Sequence, residues 1–79
     1  MTIHEALAGA AKLSTRLQPA TEAQIDYLAS LLAKAQEAGG NATSAAEEIL
    51  SMVTTNRDGF GLTLRGASNH IETLKSLVR

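Results

Sequence analysis

Apolar residues recur at helical spacing in four stretches of this chain. Ile3, Ala6, Leu7, Ala10, Leu13 and Leu17 fall on one face of a helix predicted over 3–16, stopped by Pro19, which disfavours helical geometry in the residue before it. A second helix, over 22–38, carries Ile25, Leu28, Leu32 and Ala35 as its main stripe, with Leu31 beside it. The third is shorter, over 45–54, and buries Ala46, Ile49, Leu50 and Val53; the fourth, opened by Thr63, aligns Leu64, Ala67, Ile71, Leu74 and Val78.

The polar residues ahead of these stripes match them. Thr2-Ile3-His4-Glu5, Thr21-Glu22-Ala23-Gln24 and Ser44-Ala45-Ala46-Glu47 each place a hydroxyl three positions before Glu or Gln. The hydroxyl can accept from an orphan backbone N–H of the first turn while the longer side chain reaches back to the N–H of the cap. Gly39-Gly40-Asn41 supplies residues that take the left-handed conformation and so ends the second helix. The connection Asn56-Arg57-Asp58-Gly59-Phe60-Gly61-Leu62 admits two readings. Its turn formers and the following Thr63 cap favour a loop whose Phe60 plugs the bundle. Asp58-Gly59 between Val53, Thr55, Phe60, Leu62 and Leu64 also fits a β-hairpin. The expected fold is all-α, a compact bundle of four short helices forming one domain over 1–79; the alternative is α+β with a small hairpin around Asp58-Gly59.

Length and composition sharpen this. At 79 residues there is room for one core and no second domain, and a chain this short buries only roughly 60% of its unfolded surface. Self-association is one route to burying more. Cysteine is absent, which removes disulfides, thiolate zinc sites and cysteine nucleophiles together. Tyr27 and Phe60 are the only aromatic residues, and alanine supplies much of the apolar share, so the core should be thin and closely packed rather than hollowed for a large ligand. The first residues lack the basic start of a signal peptide, and no apolar run approaches the roughly 20 residues that span a bilayer. The expected compartment is the cytoplasm, that of a host cell if the chain is phage-encoded, with no membrane partner.

The net charge of −1 gives no overall field to attract nucleic acid, but its distribution is polarised. Glu22, Asp26, Lys34, Glu37, Glu47 and Glu48 give residues 20–50 a net charge of −4, whereas Arg57, Asp58, Arg65, Glu72, Lys75 and Arg79 give residues 51–79 a net of +2. On the second helix Glu22 and Asp26 are four apart and Glu37 falls within roughly 20° of Asp26, making an acidic stripe interrupted by Ser30 and Ala33. Such a face suits docking on a basic groove in competition with nucleic acid. The basic set, Arg57, Arg65, Lys75 and Arg79, with Asn69 and His70 nearby, could contact phosphates with weak, salt-sensitive affinity.

Raw material for catalysis is thin. His4 and His70 lie in different helices, and neither has a metal-type ligand three or four positions away to complete a site. Thr2, Thr21, Ser44 and Thr63 are accounted for by capping. Gly39-Gly40 and Gly59-Phe60-Gly61 lack the strand-to-helix context and the lysine of a phosphate-binding loop. No catalytic residue, metal site or cofactor is expected.

Two stretches carry a resemblance: Thr21-Glu22-Ala23-Gln24-Ile25-Asp26-Tyr27-Leu28, and Leu62-Thr63-Leu64-Arg65-Gly66-Ala67-Ser68-Asn69-His70-Ile71-Glu72-Thr73-Leu74-Lys75. Together they resemble a short helical module of uncharacterised actinobacterial and phage proteins, of phage recombination-protein tails and of an anti-CRISPR protein. Such modules carry an acidic residue where Gly66 stands, so the reciprocal cap of the fourth helix is lost here. The resemblance implies mobile elements and nucleic-acid machinery, a docking or accessory role and no catalytic residues. The leading expectation is a non-enzymatic phage or mobile-element protein that docks through Glu22, Asp26 and Glu37 on a nucleic-acid-processing complex and modulates or inhibits it, as an anti-CRISPR does. The runner-up is a nucleic-acid-binding accessory module using the basic set; a third is a homodimer formed through the alanine-rich face of the first helix.

Overall fold

The computed structural model describes residues 2–14, 18–55 and 61–78. These form four helices, α1 (Ile3–Lys12), α2 (Glu22–Ala38), α3 (Gly40–Thr55) and α4 (Leu64–Leu77), and contain no strand beyond one isolated bridge. The all-α reading holds and the hairpin alternative is not needed; Asp58-Gly59 and Phe60 lie outside the described residues. Helix α2 is central and packs on all three of the others. Among the described residues Leu7, Leu28, Leu32, Leu62 and Leu74 are the largest fully buried side chains, and the alanines at 10, 35, 42, 46 and 67 let the helices close around them. No described helix is long and apolar enough to cross a membrane.

Three of the expected starts hold. Thr2, Thr21 and Thr63 each have extended backbone and accept from the N–H of the residue three positions on. At Thr21 the box is complete, the Gln24 N–H donating to Thr21 Oγ1 at 3.1 Å and the Thr21 N–H donating to Gln24 Oε1 at 3.2 Å. Gln24 Nε2 also donates to the Leu64 carbonyl at 3.2 Å, so one cap residue ties the start of α2 to that of α4.

Two boundaries differ from expectation. α3 opens at Gly40 rather than Ala45, and Ser44 is an exposed residue inside the helix instead of its cap. Gly39 (φ 76°) and Gly40 (φ 60°) reverse the chain without a longer loop. The apolar stripe then runs one turn further back, through Ala42 to Ala46, Ile49 and Val53, while Leu50 is only partly buried. Thr43 takes the polar role, its hydroxyl donating to the Ala35 carbonyl at 3.0 Å and lying 3.3 Å from that of Gln36, near the otherwise unpaired end of α2.

α1 is shorter than expected, ending at Lys12, and Leu13 is 51% exposed where the stripe placed it in the core. The cause is a crossing segment. The Leu62 N–H donates to the Ala10 carbonyl at 3.0 Å, and the Ser14 N–H, which in a continuing helix would use Ala10, turns to Ala11 at 3.1 Å. Gly61 (φ 69°) lies so close that a Cβ there would overlap the Ala10 carbonyl oxygen and come within 2.9 Å of the Ser14 nitrogen. On its other side the segment pairs with residues 18–20. The Ala20 N–H donates to Leu62 at 3.1 Å and the Leu64 N–H to Gln18 at 2.9 Å, around an antiparallel bridge between Pro19 and Thr63.

Gly61→Ala should therefore cost about 3 kcal/mol, the left-handed backbone and the collision adding together. Gly9→Ala, whose Cβ would meet no described residue within 4 Å, should raise stability by about 0.5–1 kcal/mol. Urea unfolding monitored by circular dichroism measures both. Replacing Ser44 by alanine separates the two starts of α3: a cap would lose about 1 kcal/mol, whereas the interior position observed should gain a few tenths.

Candidate functional site

The acidic residues singled out by sequence all stand on the outer side of α2. Glu22, Asp26 and Glu37 are exposed and line up over roughly 22 Å of helix, because fifteen positions at 1.5 Å each separate the first from the last. Their charges are not equivalent. Asp26 Oδ1 lies 2.7 Å from His4 Nε2 of α1, in a pair whose side chains remain 64% and 48% exposed. When the imidazole is protonated it offsets the Asp26 charge, whereas Glu22 and Glu37 at the ends of the stripe form no ion pair among the described residues. The distance of 22 positions between His4 and Asp26 hid this pairing from the sequence; it exists because α1 lies alongside the first turns of α2.

Between those helices runs a shallow groove of about 350 Å³. Ala8, Ala11, Ala20 and Ile25 give it an apolar floor, while His4 and Lys12 on the α1 side and Glu22 on the α2 side supply a rim of mixed charge. The acidic stripe and the groove share Glu22, so they make one surface. A side chain entering the groove would be held by contact area, and cations around it by Glu22 and Asp26.

Tyr27 flanks the acidic stripe on the side away from the α1–α2 groove and was not singled out from the sequence. It is 47% exposed, roughly 100° around α2 from Asp26, beside Ala23, Ser30 and Lys34. A signal was present: Tyr27 falls off the Ile25-Leu28-Leu32-Ala35 stripe, so its ring was always directed away from the centre of the core. Half-exposed tyrosines combine large contact area with a hydroxyl and are enriched at binding surfaces.

The basic residues are not gathered in the same way. Arg65 stands in the first turn of α4 and Lys75 in the last, both exposed, roughly 15 Å apart along the axis and 80° apart around it. Arg57 and Arg79 lie outside the described residues. Between α3 and α4 a second groove, about 440 Å³, is lined by Met52, Val53, Leu62, Thr63, Asn69 and half-buried His70. His4 and His70 are on different helices, and among the described residues no group of three His, Cys, Asp or Glu side chains is placed to hold a metal ion.

A double-mutant cycle on His4→Ala and Asp26→Asn should give a coupling of about 0.5 kcal/mol that shrinks with added salt, as expected for an exposed pair. Thermal unfolding of the four proteins at low and high ionic strength measures it. Comparison of the chain with protein-family models, with curated proteins and with solved structures finds no match.

Proposed function

We propose that the protein is a non-enzymatic binding protein of phage or mobile-element type. It docks through the outer face of α2 on a basic groove of a nucleic-acid-processing complex and obstructs it, in the manner of an anti-CRISPR. The observation that carries this reading is the row of Glu22, Asp26 and Glu37, which meets the apolar α1–α2 groove at Glu22 and has the exposed ring of Tyr27 on its far flank. Acidic groups at the rim of an apolar contact favour fast association with a positively charged partner and select against anionic ones. The resemblance of residues 21–28 and 62–75 to modules of phage proteins points the same way.

The mechanism that follows is occlusion. A groove lined with lysine and arginine to hold a nucleic-acid backbone would accept a row of carboxylates roughly 22 Å long in its place, with Tyr27 adding contact area at the flank.

The test is capture of the tagged protein from nuclease-treated lysate of its host, run beside a Glu22→Lys/Glu37→Lys variant and a Tyr27→Ala variant. A nuclease, polymerase or surveillance complex should bind the native protein at least about tenfold more tightly than the charge-reversed one, with a smaller loss for Tyr27→Ala. Equal retention of that complex by the reversed variant would remove the α2 face from the role. Binding that depends on intact nucleic acid would move the interaction to Arg65 and Lys75.

A further inference from the structure

We infer that the exposed face of α1 is a self-association surface, on which a second copy of this chain docks antiparallel about the Ala8-Gly9 midpoint. Gly9 is the first observation. It sits inside α1, where glycine weakens a helix, yet no atom of the described residues lies within 4 Å of the position its Cβ would take. Among the described residues nothing requires a glycine there, unlike Gly61, and the bare backbone it presents permits close approach of another helix.

The surroundings of Gly9 name the occupant. Glu5, Ala6, Gly9 and Ala10 of α1, with Val53 of α3, line a shallow apolar groove of about 230 Å³, and Leu13, just past the end of α1, stands at its rim half exposed. Glu5 and Lys12 are exposed, seven positions apart and within roughly 20° of one another around the helix. A two-fold axis between Ala8 and Gly9 sets each Glu5 opposite the Lys12 position of the other copy, so the same ion pair forms twice. The same operation sets each Leu13 level with His4 of the other copy, about 3 Å along the axis from its Ala6, at the edge of the groove. A surface whose charges and knob complement its own mirror positions in this way fits a second copy, as an isologous interface demands. Antiparallel α1 helices also oppose their dipoles favourably.

The size of the surface sets its strength. A standard interface buries about 800 Å² per partner, roughly a sixth of this monomer's 4883 Å². α1 has ten residues and is about 15 Å long, so the pair should dissociate in the high-micromolar range.

Sedimentation equilibrium from about 10 µM to 1 mM tests this. The native mass should rise from 8.3 kDa towards twice that value with concentration. Gly9→Leu and Leu13→Asp should each weaken association at least about tenfold, while circular dichroism of dilute samples shows the monomer still folded. Glu5→Lys and Lys12→Glu should each weaken it singly, and the Glu5→Lys/Lys12→Glu double variant should restore it, a rescue that a merely structural role of either residue does not give. A monomer mass at 1 mM, or association indifferent to Gly9→Leu and Leu13→Asp, overturns the inference. Gly9 and Leu13 lie outside both the outer face of α2 and the α1–α2 groove, so failure in these two variants leaves the docking reading standing.

Discussion

The fold depends on one place where two backbones meet with no room for a side chain. Gly61 and Leu62 cross the end of α1, and the Leu62 N–H takes the carbonyl of Ala10 that a longer helix would have used for Ser14. One hydrogen bond therefore both ends α1 and anchors the approach to α4. The same segment pairs on its other side with Gln18 and Ala20, and the Leu62 side chain is wholly buried. Since α1 and α4 do not pack on each other directly among the described residues, this segment links them.

The consequence for the surface is less obvious. Stopping α1 at Lys12 leaves Leu13 half outside the core, next to an unopposed Gly9. Directing residues 18–20 along the crossing segment fixes where α2 begins, so that its first turns lie beside α1 and Asp26 meets His4. The α1–α2 groove, the pairing of Asp26 with His4 and the exposed face of α1 are thus three results of one crossing. A mutation at Gly61 would disturb all of them together, while the outer residues of α2 can change with little cost to the fold.

The surface chemistry also separates residues that the sequence groups by sign. Glu22, Asp26 and Glu37 share a helix face because α2 is continuous, and a helix of known period fixes that geometry. Arg65 and Lys75 share a helix but not a face, and any patch they form with other cations depends on elements beyond α4. The acidic face therefore offers a partner a row of charge, and the basic residues of α4 offer separate points.

The sequence by itself determined the helical class, three of the four starts, the stripes of α2 and α4 and the exposure of the acidic residues. Each of these follows from interactions within about four positions: a hydroxyl accepting from an N–H three residues on, or side chains recurring every 3.6 residues. Tertiary structure decided what depends on distant partners. Ser44 had the local signature of a cap, but burying Ala42 and placing the Thr43 hydroxyl near the last carbonyls of α2 moved the helix start to Gly40. Leu13 fitted the stripe of α1 until Leu62, nearly fifty residues later, took the carbonyl the helix needed to continue. The extended character around Leu62 and Thr63 was legible, yet its partner was Pro19 rather than the preceding strand of a hairpin. His4 and Asp26 carry no local sign of one another, and only the packing of α1 on α2 makes them a pair.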